Sequence, residues 1–428
     1  MRLAQTGDDT PLSQLVLIGF RHRKARLSCR RSYALRADGA SATTNDDLPR
    51  VACRRRTEKS DRVLGLRDAS PSAATALVAT STTPPRAHGT GLATAAFLVT
   101  IDTEGDNFWN RPRRVTTRNA EFLGRFQQLC ERYGLRPTWL TSYEMILSPI
   151  FRRFATDVIA RGVAEVGMHL HAWNSPPLRT LTEDDAHATP YLIEYPARVM
   201  REKIHALTTT LEDSLGVKML SHRAGRWAFD ERYAEMLLDE GYRVDCSVTP
   251  LVSWKTSLGD PSGRGGSDYT KFPHEAYWVD LNDISRPGTS GLLEVPVTIA
   301  SFRSGLTNRV VRTADVLPRP LARLGAFTHR VTDRLSPPAV WLRPTGKNGP
   351  VLRDLIDRVV DERRQYAECM LHSSELMPGG SPTFPDAASI ELLYADVELL
   401  FQRIRGGFHG ATLSEFHDEF VSASNRCN

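Results

Sequence analysis

The 428-residue sequence lacks both paired cysteines and long apolar runs. Its six cysteines are scattered without CxxC pairs or regular spacing, which argues against a disulfide framework and against a cysteine zinc cluster. No apolar run approaches the roughly 18–20 residues that a membrane-spanning helix requires. The short apolar stretch at residues 15–20 is followed rather than preceded by basic residues, so it makes a poor secretory signal. We therefore expect a protein without a membrane span, located in the reducing cytoplasm.

Aromatic residues are missing from Ala34 to Ala96. This stretch is rich in Arg, Ala, Ser, Thr and Pro, and such a composition buries too little apolar surface to offset the entropy that is lost on ordering. We therefore predict that residues 1–92 form a disordered basic segment. An organelle-targeting leader and an over-extended start site are the alternative interpretations.

A general excess of positive charge is also absent. The net charge of +5 comes from the N-terminal segment: residues 1–92 hold 16 Lys and Arg against 8 Asp and Glu, whereas the remaining residues hold 39 against 42. The main body therefore carries no signature of polyanion binding, and we expect no nucleic-acid partner.

Order is predicted to start at the unbroken apolar run Ala95–Ile101, which is typical of a buried parallel strand. Strand-like and helix-period segments then alternate, which predicts repeated βα units, an α/β fold and a largely parallel sheet. Further strands are predicted at 138–141, 163–170 and 410–413, and helices at 120–133, 150–160, 199–215, 231–240 and 390–404. Residues 300–350 are rich in Arg and Pro, and we expect an insertion or cap there.

Acids and histidines alternate at two strand ends. Asp102, Glu104 and Asp106 follow the first strand, and His169 and His171 end another. Side chains two apart on an extended chain point to the same face. Two imidazoles and one carboxylate make a metal site that leaves coordination positions open for water and substrate. The alternative is that both histidines make unrelated hydrogen bonds in the core or at the surface.

Two other stretches contain candidate catalytic residues. Arg223 and Arg226 lie on either side of Gly225 after a strand-like stretch, and a guanidinium there would lower the pKa of a neighbouring carboxylate. An ordinary helix N-terminus is the alternative interpretation of this stretch. His372 ends a short apolar strand before a turn rich in Pro and Gly, where a histidine can serve as a general acid.

Taken in order, these motifs resemble the NodB-homology polysaccharide deacetylases, and more narrowly their WalW-like bacterial branch. The resemblance covers roughly residues 95–425 and leaves out residues 1–92. It is carried by six stretches: VTIDTEGD at 99–106, GMHLHAWN at 167–174, SHRAG at 221–225, VDCSVTP at 244–250, LEVPV at 293–297 and LHSSEL at 371–376.

The resemblance implies a distorted (β/α) barrel over residues 93–425, with its site at the carboxyl ends of the strands. It also implies a divalent metal ion as cofactor, with zinc as the expected ion. By position, Asp102 corresponds to the general base, Glu104 to the metal-binding carboxylate after a one-residue insertion, His169 to the first histidine ligand, Arg223 to the arginine that tethers the base, and His372 to the general acid.

One departure from the family pattern concerns the second histidine ligand. Trp173 stands at its usual position, four residues after His169. We predict that His171 replaces the missing ligand, and His222 is the alternative. Asp106 is likewise the alternative carboxylate ligand.

The activity implied by the resemblance is removal of acetyl groups, N-acetyl groups first of all, from an amino sugar, an oligosaccharide or a polysaccharide. The expected partner is therefore a carbohydrate, and the expected substrate contacts are Trp173, Trp227 and Asp245. Two alternatives stay open: a barrel that binds carbohydrate without turnover, and an amidase for a small substrate other than a sugar. A non-haem iron oxygenase also uses two histidines and a carboxylate, but the alternating β/α pattern does not favour its double-stranded β-helix.

Overall fold

The computed structural model describes residues 94–302 and 339–427. The predicted disordered segment at 1–92 lies outside the described residues, and so does most of the predicted insertion at 300–350. Within the described ranges, no helix is long and apolar enough to cross a membrane.

Strands and helices alternate through most of the described chain. The strands are β1 (Ala95–Thr103), β2 (Thr138–Thr141), β3 (Glu165–Leu170), β4 (Ser221–Ala224), β5 (Val244–Asp245), β6 (Tyr277–Trp278), β7 (Leu293–Glu294), β8 (Ile299–Ala300), β9 (Val340–Trp341), β10 (Tyr366–His372) and β11 (Phe408–Ala411). The helices are α1 (Leu123–Arg132), α2 (Tyr143–Leu147), α3 (Pro149–Ala160), α4 (Asp185–Ala188), α5 (Ala197–Leu215), α6 (Glu231–Asp239), α7 (Gly349–Asp361), α8 (Ala387–Ile404) and α9 (Leu413–Cys427).

One curled sheet organises the fold. Its strand order is β10-β1-β2-β3-β4-β5-β7-β6, and β11 pairs with the first half of β1. The pairings are parallel except that of β6 with β7. From β1 to β5 the spatial order follows the chain order, which is the result expected for successive βα units.

A small second sheet, formed by β8 and β9, lies between the chain that follows β7 and strand β10. The Leu342 N–H donates to the Thr298 carbonyl at 2.9 Å, and the Met370 N–H of β10 donates to the Leu342 carbonyl at 3.2 Å. These bonds link the chain that follows β7 to β10, so the sheet curls into a distorted barrel. The predicted α/β class and the largely parallel sheet are confirmed.

β1 illustrates how the sequence determines the two sides of the sheet. Phe97, Val99 and Ile101 are buried in the large apolar core that residues of α1, α5 and α8 share. Thr100 and Asp102 point to the opposite side, into the barrel, where Arg223 binds both of them. Because side chains alternate along a strand and both sides are buried here, the strand is apolar almost throughout.

The strand register brings candidate site residues to one end of the barrel. Asp102, near the end of β1, pairs with His372 at the end of β10. His169 of β3 pairs with Arg223 of β4. These residues lie near the carboxyl ends of parallel strands, where barrel enzymes carry their sites.

Candidate active site

Glu104, His169 and His171 converge at this end of the barrel. The Nε2 atoms of His169 and His171 lie 3.5 and 3.2 Å from Oε2 of Glu104. All three side chains are buried. Their potential ligand atoms lie within 4.8 Å of one another, which is close enough for all three to bind one metal ion.

The surroundings of the two imidazoles favour a metal-ligating orientation. Nδ1 of His169 lies 3.0 Å from the Arg223 carbonyl, so Nδ1 carries the proton and Nε2 presents its lone pair toward Glu104. The room for His171 depends on Gly225, where a Cβ would lie 2.3 Å from Cδ2 of His171. With two imidazole nitrogens and one carboxylate oxygen as donors, the residues present fit a divalent cation.

The two histidines differ in their electrostatic surroundings. Burial lowers the pKa of His171 well below its ordinary value, and the neighbouring His169 lowers it further. Burial also disfavours the charged form of His169, but Asp102 and Glu104 outweigh this effect and raise its pKa. His171 is therefore held in the neutral form that binds metal ions.

Asp102 lies beside this group and is held by the fully buried Arg223. Nη1 of Arg223 donates to Oδ1 of Asp102 at 2.7 Å, and Nη2 donates to Oγ1 of Thr100 at 2.9 Å. Nη2 also donates to Glu368, and Nε donates to the Cys246 carbonyl at 3.0 Å. One guanidinium thus binds two buried carboxylates at once.

The charge of Asp102 is fixed by these neighbours. Burial alone would raise the pKa of Asp102, but Arg223, His169 and His372 together lower it by more. The pKa of this carboxyl is consequently held well below its ordinary value, and Asp102 is ionised at neutral pH.

His372 faces both carboxylates of the site. Its Nε2 lies 3.7 Å from Oδ2 of Asp102 and 4.0 Å from Oε1 of Glu104. On the other edge of the ring, Nδ1 lies 3.4 Å from Oε2 of Glu375, which also accepts the His372 N–H at 2.9 Å. Arg343 donates to Oε1 of Glu375 at 2.6 Å. Burial would raise the pKa of Glu375, but Arg343 and His372 lower it to about 2.

Aromatic rings border the imidazoles. Trp173 stacks on His171, with ring centroids 4.4 Å apart and an interplanar angle of 19°. Phe108 contacts the same imidazole at 5.1 Å, and Trp109 contacts the ring of His372 edge-on at 5.0 Å. All three aromatic side chains are half-buried, so part of each ring remains accessible beside the site.

Asp106, the alternative carboxylate ligand, is occupied elsewhere. Its carboxylate accepts hydrogen bonds from Oγ1 of Thr116, from the Arg118 N–H and from the backbone and side-chain N–H groups of Asn119. The role of Asp106 in the structure is therefore to fix the loop that follows β1.

His222 and Asp245 form a separate, fully buried network. Nδ1 of His222 lies 2.6 Å from Oδ1 of Asp245, and Nε2 lies 2.7 Å from the Tyr233 hydroxyl. Ser247 donates to Asp245 through both its backbone N–H and its hydroxyl. Neither His222 nor Asp245 joins the Glu104–His169–His171 group, and Asp245 offers no exposed atom to a substrate.

Trp227 lies three residues after the end of β4 and packs against Arg223. Its side chain is largely buried and contacts Trp341, with ring centroids 5.6 Å apart. The guanidinium of Arg223 lies 5.0 Å from the centroid of its ring. Trp227 therefore contacts the side chain that holds Asp102, and its ring is largely covered by protein.

Five residues of the site were not predicted from the sequence: Phe108, Trp109, Arg343, Glu368 and Glu375. Two aromatic residues shortly after the acids that follow β1 were an available signal, and so was an acid three residues after His372. Glu368 is the one charged residue within the strand β10. Nothing in the sequence near Arg343 indicates its contact with Glu375.

The described residues thus define an α/β barrel with a candidate metal-binding group at the carboxyl ends of its strands. No family model and no curated protein matches the chain. The similar solved structures are mostly carbohydrate esterase family 4 polysaccharide deacetylases, at low sequence identity.

Three of these structures illustrate the similarity. A protein from Mycobacterium smegmatis assigned as a polysaccharide deacetylase is 12% identical, with a TM-score of 0.42 over 78% of this chain and 93% of that chain. A protein from Parabacteroides distasonis assigned as a glycoside hydrolase/deacetylase is 11% identical, with a TM-score of 0.48 over 77% and 72%. A family 4 pseudoenzyme from Bacillus anthracis is 11% identical, with a TM-score of 0.33 over 76% and 66%.

At such identities and TM-scores, no activity follows for this chain, and its function has to be inferred from its own residues. The similarity to the WalW-like branch stays a prediction.

Proposed function

We propose that this protein is a metal-dependent hydrolase that removes acetyl groups from an amino sugar, an oligosaccharide or a polysaccharide. The observation that carries the proposal is the convergence of Glu104, His169 and His171, with Asp102 beside them and His372 within 4.0 Å of both carboxylates. The carbohydrate substrate class is supported by the resemblance of the ordered motifs to the NodB-homology polysaccharide deacetylases.

Glu104, His169 and His171 would hold the divalent ion, and zinc is the expected ion because imidazole and carboxylate donors suit it. When bound, such an ion polarises the acetyl carbonyl and lowers the pKa of a bound water toward neutrality. Since the chain supplies three donors, coordination positions remain for water and substrate.

Asp102 is the proposed proton acceptor. Its Oδ1 is engaged by Arg223, whereas its Oδ2 faces His372 across 3.7 Å. Because Arg223 keeps the carboxylate ionised, Asp102 can take a proton from the attacking water.

His372 is the proposed proton donor to the leaving amine, which departs poorly without a proton. Nδ1 of His372 lies 3.2 Å from Nη2 of Arg343 and 3.4 Å from Oε2 of Glu375, so Nε2 is the nitrogen directed at the reacting groups. The ion pair between Glu375 and Arg343 holds this orientation. Asp102 thus contacts Arg223 through Oδ1 and faces His372 through Oδ2.

The test is acetate release by the purified full-length protein from acetylated chitin oligomers, an acetylated xylan and a small N-acetyl amine. Each substrate is assayed with protein as purified, after removal of metal by a chelator, and after addition of Zn²⁺. We expect release that is lost on chelation and restored by the ion. His169→Ala should be folded and inactive. His205→Ala is the matched control, since this exposed histidine contacts Glu240 outside the site.

The same assays separate the alternatives. Binding of metal and sugar without acetate release would support a non-catalytic carbohydrate-binding barrel. Release from the small N-acetyl amine alone would support an amidase for a substrate other than a sugar. Absence of metal binding in the folded protein would overturn the proposal.

A further inference from the structure

The loop that follows β1, residues 105–118, is held in one conformation by several contacts. The carboxylate of Asp106 accepts hydrogen bonds from Thr116, Arg118 and Asn119. The Asp106 N–H donates to the Thr116 carbonyl at 2.8 Å. Nη1 of Arg111 donates to the His187 carbonyl at 2.6 Å, which fastens the far side of the loop. The loop is therefore a fixed wall of the site.

Two consecutive aromatic residues of this wall contact two different imidazoles. The Trp109 ring lies edge-on against His372, and the Phe108 ring lies tilted against His171. Asn107, directly before them, has φ of +52°, a left-handed conformation that turns the chain. Trp109 of this wall thus contacts the proposed proton donor, and Phe108 contacts a proposed metal ligand.

We propose that Trp109 is a specificity-determining residue that binds the apolar face of the sugar ring carrying the amine. This inference rests on the proposed function, because it takes His372 as the donor of a proton to the leaving amine. A group bound next to His372 then lies on the amine side of the scissile bond. In an acetylated amino sugar that side is the pyranose ring, whose C–H groups pack on an aromatic face.

Phe108 lies on the acetyl side of the scissile bond. It contacts His171, whose Nε2 faces the metal-binding group, where the acetyl carbonyl is expected. Of these two aromatic residues, Trp109 is therefore the one that lies on the sugar side of the bond.

The experiment measures equilibrium binding of triacetylchitotriose by calorimetry in an Asp102→Asn background, where turnover is expected to be lost. It also measures acetate release from triacetylchitotriose and N-acetylethanolamine with Asp102 intact. We compare the wild-type holoenzyme with Trp109→Ala, Trp109→Phe and Trp278→Phe. Trp278 is the control because it packs against His417 and Phe420, away from the proposed site. Trp109→Ala should weaken trisaccharide binding about ten-fold, the ordinary value for loss of one aromatic contact. Trp109→Phe should retain most of the binding, and Trp278→Phe should match the wild type.

Activity with the ringless substrate separates this inference from the proposed function. Trp109→Ala should raise KM for the trisaccharide and lower kcat/KM for the trisaccharide by a larger factor than kcat/KM for N-acetylethanolamine. Trisaccharide affinity that is unchanged in a folded Trp109→Ala variant would overturn the inference. An equal loss on both substrates would also overturn it, because Trp109 would then act through His372. Trisaccharide binding that depends on Trp109 in a protein without acetate release would uphold the sugar contact and refute the hydrolase.

Discussion

Replacement of Arg223 by methionine tests the central electrostatic feature of the site. Arg223 is fully buried and makes four hydrogen bonds, to Asp102, Thr100, Glu368 and the Cys246 carbonyl. Methionine fills a similar volume without charge or donors. The variant therefore leaves two buried carboxylates without their shared cation.

The expected loss of unfolding free energy follows from the two buried carboxylates that lose their partner. Removing one partner of a buried ion pair typically destabilises a protein by about 3–5 kcal/mol, because the remaining charge stays buried and unpaired. Arg161→Met is the matched control, since Arg161 binds Glu131 at the surface with a side chain that is 42% exposed. Loss of such a surface pair costs roughly 0–1 kcal/mol.

The pH dependence has a definite sign. In the wild type the folded-state pKa of Asp102 is below its unfolded value. Arg223 therefore contributes stability that is present above an unfolded pKa of about 3.9 and is lost as the pH falls through the folded-state pKa. In Arg223→Met the largest contribution that lowers the pKa of Asp102 is lost, so the folded-state pKa of this carboxyl rises. The difference between variant and wild type is then largest near neutral pH and shrinks as acid protonates the carboxyl group.

The assay is urea unfolding of the metal-free proteins at neutral pH and near pH 5. We expect the larger loss of unfolding free energy at neutral pH. Adding Glu368→Gln should recover part of this loss, because it removes one of the two unpaired charges. A neutral-pH loss below about 1 kcal/mol, the range of surface pairs, would refute the reasoning. A loss of unfolding free energy that grows as the pH falls would also refute the reasoning.

Three further substitutions test the proposed roles. Asp102→Asn should keep the fold and lower kcat by about 10²–10⁴-fold, the usual contribution of a general base; near-wild-type turnover would exclude this role. His171→Ala should reduce metal affinity, measured by competition with a chelator, by more than the roughly 10–100-fold typical of replacing a residue that only contacts a ligand. His222→Ala should retain the affinity of the wild type. A larger loss in His222→Ala than in His171→Ala would contradict the ligand assignment. Gly225→Ala should also weaken metal binding, because its Cβ would lie 2.3 Å from Cδ2 of His171; unchanged affinity in a folded variant would speak against that constraint.

Local signals in the sequence were sufficient for most elements of the fold. The helix predicted at 199–215 is observed at Ala197–Leu215, and its end is fixed by Gly216, which has φ of +70°. The helix predicted at 231–240 is observed at Glu231–Asp239, and Asp230 caps it by accepting the Tyr233 N–H. Such caps lie within a few residues of the ends they determine, so the sequence alone contains them.

The choice between His171 and His222 was also within reach of the sequence. Adjacent residues of a strand point to opposite sides. Because Arg223 points into the barrel to bind Asp102, its neighbour His222 must point to the helices, where it contacts Tyr233 of α6. Assigning Arg223 as the tether of the base therefore already argued against His222 as a ligand.

The sequence alone could not predict the side-chain contacts between residues that are far apart in the chain. Glu368 lies 145 residues from Arg223, and Arg343 precedes Glu375 by 32 residues with a helix and a strand between them. An acid inside an apolar strand is compatible with either side of a sheet. Only the curl of the sheet brings Glu368 to the interior and next to the guanidinium.

The balance of charge in the site argues for a cation beside Glu104. Arg223 is shared by two carboxylates, those of Asp102 and Glu368. Arg343 is engaged by Glu375. In the described part of the chain, the ion-pairing partners of Glu104 are imidazoles, and no Lys or Arg pairs with it. A buried carboxylate without a cation costs several kcal/mol. Two imidazole nitrogens face the same oxygen of Glu104, and a divalent ion bound by all three residues would supply positive charge there, as a protonated His169 does when no ion is bound.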